Sequence, residues 1–472
     1  MSRLKNRNKY LVFGLLVVAA VFIAAGNHSL PAARLSAPLV LDSIAPQLPD
    51  APFDYTDIFI PGYIQQSTDS FNTPFLPLLD SITNAGAALG RVLFYEKRLS
   101  ANRQISCGTC HEQALSFGAG TAGSPGFAGV VTPRNTMHIN QLVFSPGTPI
   151  FWDGRVQTIQ QQVIMPILHP DEMGLTEPEI IARVQEASYY PPLFEAAFGD
   201  SEVTVERVRS ALVQFVASMV SFQSKFDEMQ ENGNLNVFTP AEQQGWLLFQ
   251  QTCVLCHIEG HFGTDSLFNI GLEMEYPDPG LAGWTGNPAH HGAFKSPTLR
   301  NIAQAAPYMH DGRFATLEDV VEFYSNEIVA HPNNHIAEML SFPLPFRGFR
   351  YSDEEKAALV AFMHTLTDTV LLTHPKWSDP FVPVTNTAHH DPLDFHWKVF
   401  PNPAAHEVFV SWPVAVSSDV EVYLKNLNGQ IMRQLHATGG SYRIPLTGLP
   451  AGVYALSLQS GKRQSVKLVV IK

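Results

Sequence analysis

The sequence predicts a mainly α-helical chain that ends in a small all-β sandwich module. Three observations carry this. Apolar residues recur at helical spacing, as in Val208, Leu212, Phe215 and Met219. All four cysteines sit in two short motifs of the same pattern, one per helical half. Beyond residue 419 the period changes to two around Asn428-Gly429, the signature of a β-hairpin. At 472 residues the chain is too long for one core. Hydrophobic content of 45% and charged content of 15% describe a globular protein. A net charge of −13 argues against nucleic acid or an anionic membrane surface as partner, and would favour a basic one.

The two motifs are Cys107-Gly108-Thr109-Cys110-His111 and Cys253-Val254-Leu255-Cys256-His257. C-x-x-C-H is the attachment pattern of c-type haem: two thiols add to the vinyl groups, and the adjacent His binds the iron. A redox dithiol or half of a zinc site are the rival readings. No further cysteine pair exists to complete a zinc set, and each pair is followed at once by His. Two covalent haem c groups are therefore expected, held by Cys107, Cys110 and His111 and by Cys253, Cys256 and His257. Helix followed by C-x-x-C-H is the cytochrome c arrangement, so the helical part reads as two cytochrome c-like haem domains.

In chain order, Arg3, Lys5, Arg7 and Lys9 precede an apolar run over 11–25 that exits through small residues. Residues 1–26 thus read as a secretory signal peptide, with an uncleaved anchor helix as the alternative. Residues 27–80 are Pro-rich and read as an extended arm. The first haem domain is placed at 81–230, with helical pattern from Ala85 through Leu89, Val92, Leu93 and Tyr95. After His111, residues 112–137 contain no His, Lys or Tyr, and Met137 is their only Met. Residues 177–229 read as two amphipathic helices.

The second haem domain is placed at 231–372. It opens on a capping box, Thr239 with Glu242, and Pro240 at the first helical position. Thr316 caps a helix with Leu317, Val320, Val321 and Tyr324 on one stripe. Ser352 and Glu355 open the last helix, which carries Leu359, Phe362 and Leu366. Residues 373–394 read as a linker, and 395–472 as the β-sandwich module, with a second hairpin around Ser460-Gly461.

Taken together, the paired motifs, with Phe151-Trp152-Asp153-Gly154-Arg155 between them and the stretch from Pro307 to Phe314 after, resemble the bacterial dihaem cytochrome c peroxidase and MauG family. The resemblance covers about residues 75–370. Phe400-Pro401-Asn402-Pro403, Ala451-Gly452-Val453-Tyr454 and the closing 467–472 resemble a type IX secretion sorting domain. The first resemblance implies that peroxide reacts at the N-terminal haem and that the C-terminal haem accepts electrons. It places Trp152 between the haems, Glu172 as the distal acid, and Gln162 and Pro166 in the peroxide pocket. It also implies a calcium site from Asn135 with the carbonyls of Ala305 and Pro307.

Two departures from the family pattern stand out. Phe127 occupies the position where many members carry a loop His that blocks the N-terminal haem, which implies an open or water-bound sixth site in the oxidised protein. Tyr324 stands where the peroxidases usually carry an axial Met, as it does in MauG; Met274 and Met309 remain alternative sixth ligands of the C-terminal haem. The expected activity is reduction of hydrogen peroxide to water with electrons from a small redox protein or other donor. The alternatives are MauG-like oxidation of a protein substrate and a non-catalytic dihaem electron carrier. The signal peptide and sorting module imply secretion and attachment machinery as partners and a cell-surface or extracellular location, with the periplasm as alternative. A homodimer stays open.

Overall fold

A computed structural model of the chain describes residues 45–64, 76–144, 149–264, 266–336, 348–381, 398–400, 406–411, 419–426, 430–438, 441–460 and 463–471. The expected signal peptide at 1–26, residues 382–394 of the expected linker, and both the Asn428-Gly429 and Gly461 turn positions lie outside these. No helix among the described residues is long and apolar enough to cross a membrane. Up to residue 381 the described chain is mostly helical, and from 398 onward it is β-strand.

The first long helix, Asn84–Tyr95, is capped by Thr83, whose hydroxyl accepts from Gly86 N. It buries almost its whole length against the Val205–Ala217 helix. The crossing is close enough that a Cβ on Gly90 would stand 2.0 Å from the Ala211 carbonyl oxygen, so only glycine fits there. The second half repeats the device. Helix Pro240–Thr252 opens on the expected Thr239/Glu242 capping box and crosses helix Asp353–His364, itself capped by Ser352 and Glu355. There a Cβ on Gly245 would stand 1.9 Å from the Ala358 carbonyl oxygen.

Residues 177–229 hold more than the two expected helices: Glu177–Gln185, Tyr190–Phe198, Val205–Ala217 and the start of Lys225–Asn232. The breaks have local causes. Pro191 begins a helix, and Gly199 ends it in the left-handed region at φ 88°. A Ser224/Asp227 capping box starts the last one.

Residues 373–381, expected to open a linker, are packed instead of free. Trp377 is buried in the core of the 84–95 helix. Tyr95 Oη donates to the Trp377 carbonyl at 2.7 Å, and Arg91 Nε to the Ser378 carbonyl at 2.7 Å. An apolar Trp and ready backbone acceptors outweigh the Pro/His-rich composition that suggested a linker.

Two short strands, β1 (Leu267–Phe268) and β2 (Phe294–Lys295), pair near the second haem motif. The C-terminal residues form two antiparallel sheets. β3 (Lys398–Phe400), β4 (Glu407–Ser411) and β7 (Ser441–Pro445) make one, in the order β3-β4-β7. β5 (Asp419–Asn426), β6 (Ile431–Thr438), β8 (Gly452–Ser460) and β9 (Arg463–Ile471) make the other, in the order β6-β5-β8-β9. Val408, Val410 and Ile444 from the first share one core with Val422, Leu424 and Leu456 from the second.

Candidate functional site

Each C-x-x-C-H motif forms one wall of a cavity. Cys107–Cys110 is a single helical turn whose C-cap is His111. The His111 Nδ1–H donates to the Phe117 carbonyl at 2.7 Å. At the second motif the His257 Nδ1–H faces the Phe262 and Pro297 carbonyls, each at 3.1 Å. Fixing Nδ1 as the donor leaves Nε2 free to ligate a metal. Burial pushes both imidazoles down to about 4, which keeps them neutral, the form that can ligate a metal.

The carbonyls are aimed by the same device twice. Phe117 has φ 58° and Phe262 φ 56°, and both side chains are fully buried. A bulky residue in the left-handed region costs roughly 1–3 kcal/mol, which the buried ring offsets. Each is followed by glycine, Gly118 and Gly263, in an isolated bridge back to the residue after the haem-motif His. These Phe-Gly pairs were visible in the sequence as repeated neighbours of the motifs but carried no meaning until the backbone was known.

The first cavity, about 1010 Å³, brings Cys107, Cys110 and His111 together with Gln162, Pro166 and Glu172. Glu172 follows the short Met165–Leu168 helix. Burial pushes its carboxyl above the ordinary value, against His169 and Arg155, which pull it down. His169 Nδ1 lies 3.8 Å from Glu172 Oε1. Phe127 is not part of this cavity wall. Its N–H donates to the Glu172 carbonyl at 2.8 Å, its carbonyl accepts from Asn102 Nδ2 at 2.7 Å, and its ring rests on Gly174. The loop is thus docked beside Glu172.

The second cavity, about 190 Å³, joins Cys253, Cys256 and His257 with the whole stripe of Leu317, Val320, Val321 and Tyr324. Tyr324 stands on a π-helical turn, Phe323–Glu327, that follows the Leu317–Glu322 helix. Four tyrosines line the cavity. The hydroxyls of three are committed: Tyr276 to Asn269 Oδ1, Tyr308 to the Ile302 carbonyl and Tyr351 to Thr252 Oγ1. The Tyr324 hydroxyl has no hydrogen-bond partner among the described residues. Burial, with nearby Cys256 and Cys253, holds it above the ordinary phenol value. Met309 also lines this cavity, whereas Met274 does not and is 53% exposed.

Trp152 lines both cavities, as do Lys295 and His310, which sequence reasoning left without a role. The indole is held from two sides: Nε1 donates to the Asn135 carbonyl at 2.8 Å, and the Trp152 carbonyl accepts from Lys295 N at 2.9 Å. Arg134 braces the same corner, paired with Asp153 at 2.7 Å and Asp278 at 2.6 Å. Burial works against its charge, but Asp278 and Asp153 more than offset that and raise its pKa.

The residues fit two c-type haems: each cavity has two thiols and an oriented imidazole on one wall. The calcium expectation named Asn135 with the carbonyls of Ala305 and Pro307. Asn135 Nδ2 is 2.5 Å from the Pro307 carbonyl oxygen, and Asn135 Oδ1 is buried with no partner among the described residues. The amide nitrogen also donates to the Met309 carbonyl at 3.2 Å. Ala305 caps the Ile302–Gln304 turn and is not brought to Asn135 by any described bond.

Comparison with known proteins gives this geometry a family. The di-haem cytochrome c peroxidase family profile matches residues 84–234. The chain is 33% identical to methylamine utilization protein MauG of Methylorubrum extorquens over 300 residues, 61% of this chain and 80% of that protein. The chain belongs to the dihaem cytochrome c peroxidase and MauG family. Cytochrome c551 peroxidase of Nitrosomonas europaea is 32% identical, over 64% of this chain and 84% of that one. The crystal structure of a MauG-like protein associated with microbial copper homeostasis superposes with TM-score 0.56 at 31% identity, covering 76% of this chain and all of that one. Residues 398–472 match the secretion system C-terminal sorting domain, which points to export by the type IX system. The family implies two haem c groups, and the chain is an oxidoreductase of the cytochrome c peroxidase type.

Proposed function

We propose that this dihaem peroxidase reduces hydrogen peroxide to water at the haem held by Cys107, Cys110 and His111, using electrons received at the haem held by Cys253, Cys256 and His257. The observation that carries the reading is Trp152, which lines both cavities and is fixed at both its indole and its backbone. Residues 81–230 and 231–372 are then the peroxidatic and electron-transfer domains, each cytochrome c-like. When bound, haem supplies the redox-active iron and the electronic coupling to the indole. Glu172 moves a proton between the peroxide oxygens, and Gln162 and Pro166 shape the space beside it. Phe127, docked away from the cavity, leaves the distal side accessible. Asn135 and Pro307 would hold calcium next to the Trp152 anchor. Leu255 within the second motif and Ile258 directly after it are exposed and offer an external donor a docking face. Export begins from the signal peptide at 1–26 and ends at the cell surface.

The test is to mix the oxidised protein with stoichiometric peroxide, follow the haem absorption, and then add reduced cytochrome c. Rapid donor oxidation is expected. In Trp152→Phe the initial peroxide response should persist while donor turnover is sharply slowed. Equal turnover in that variant would remove Trp152 from the electron path.

A second reading, MauG-like oxidation of a protein substrate, is favoured by Tyr324 and Phe127. It would show as a long-lived oxidised state that ignores the donor. Tyr324 is the proposed sixth ligand of the C-terminal haem. Phenolate is harder than thioether and favours ferric iron. Tyr324→Met is expected to gain a methionine-to-iron charge-transfer band and a higher reduction potential. That band in the wild-type protein would assign the position to Met309 instead.

A further inference from the structure

Helix Asn84–Tyr95 carries aromatic side chains next to the first haem motif. The Phe94 ring lies 6.5 Å from the His111 ring and 5.1 Å from that of Tyr95. Tyr95 is pressed onto the attachment turn itself: a Cβ on Gly108 would stand 2.3 Å from its Cδ1. The next residue, Glu96, is a buried carboxylate. Its Oε2 accepts from Tyr189 Oη at 2.5 Å and from Tyr190 Oη at 3.0 Å. The two tyrosine rings are 4.8 Å apart. Tyr190 is fully buried and Tyr189 half-buried, so the pair leads from the core toward the surface. The carboxylate's other oxygen, Oε1, accepts from Arg98 N at 2.9 Å, which fixes it in place.

Nothing in the peroxide reaction described above uses this cluster. A phenol becomes readily oxidisable when its proton has a base to go to, and a carboxylate in hydrogen-bond contact is one. Tyr95, bonded to a carbonyl, lacks such a base; Tyr189 and Tyr190 share one. We propose that Tyr189 and Tyr190, with Glu96 as their common proton acceptor, form a proton-coupled oxidation site that takes oxidising equivalents from the N-terminal haem when no electron donor is at hand.

The step balances. Reduction of hydrogen peroxide to two waters consumes two electrons and two protons and leaves the haem centre two electrons short. Tyr189 returns one of these electrons, its O–H proton passes to Glu96 Oε2, and the products are a neutral tyrosyl radical, a neutral carboxyl and a haem centre one electron short. The inference rests on the peroxidase reading.

Its test is freeze-quench electron paramagnetic resonance of the holoprotein after stoichiometric peroxide without donor, with ring-deuterated tyrosine to assign the signal. A tyrosine radical is expected in the wild type, lost in the Tyr189→Phe/Tyr190→Phe double variant and diminished in Glu96→Gln. An undiminished tyrosine signal in either variant, or none in the wild type, would overturn it. Haem absorption separates the two failures. If it does not respond to peroxide, the peroxidase reading has failed as well. If it responds while the radical is absent or persists in the variants, only the tyrosine site has.

Discussion

Glu172→Gln is expected to slow the peroxide step by about 10²- to 10⁴-fold, the usual worth of a positioned acid–base group. Glu172 lines the cavity that contains His111, and glutamine keeps its shape while losing the ability to carry a proton. The variant should stay folded here, because the contact that docks the neighbouring loop uses the Glu172 backbone carbonyl, not the carboxyl. Burial raises the carboxyl's pKa. The carboxylate must be ionised to take the proton from peroxide. The wild-type rate should therefore rise with pH through a value above that of an ordinary glutamate, and this limb should vanish in the variant. Stopped-flow haem absorption across the acid range measures both. A Gln variant with the wild-type rate and pH profile would remove Glu172 from the mechanism.

Asp227→Ala is expected to cost about 3–5 kcal/mol of stability, the typical penalty for leaving a buried charge unpaired. Arg300 is completely buried, and its Nη1 reaches both Asp227 oxygens at 2.8 Å. The guanidinium also donates to the Tyr63 hydroxyl and to the Gly260 carbonyl and is 4.8 Å from the Phe222 ring. Burial works against the charge, and Asp227 and Tyr63 more than restore it. Because Gly260 lies three residues past His257, the loss should also loosen the second haem site. Replacing both charges, Asp227→Leu with Arg300→Met, should recover only part of the loss: it removes the unpaired buried charge but takes partners from the Ser224 N–H, the Tyr63 hydroxyl and the Gly260 carbonyl. Urea unfolding followed by haem absorption reads the difference. A single variant as stable as the wild type would show that the pair contributes nothing.

Features fixed by local chemistry were legible in the sequence. The Thr239/Glu242 and Ser352/Glu355 boxes join residues three positions apart, and Val422 pairs with Leu435 on the next strand in sequence. What stayed hidden depends on distant or conformational partners. Asp227 and Arg300 are 73 positions apart, and no spacing rule joins them. The left-handed Phe117 and Phe262, which aim the carbonyls at the haem-binding histidines, run against residue preference. The apolar stripe ending in Tyr324 was visible, but that it lines a cavity rather than packs against another helix follows only from the tertiary arrangement. Among the proposed site residues, resemblance singled out Glu172, Gln162 and Pro166, and the structure groups them beside His111.

The seating of Trp377 bears on how the molecule survives export. Tyr95 and Arg91, on the helix that leads to the first haem, find their backbone acceptors at Trp377 and Ser378. Those residues act as a clasp, closing the haem-binding part on itself before the β-strands begin at Lys398. A protease that severs the chain between the clasp and the strands would release the address label and leave every one of these bonds in place. A cut a few residues earlier would open the core around the first haem. The start of the segment that looked like slack between modules belongs to the core that such a cut must spare.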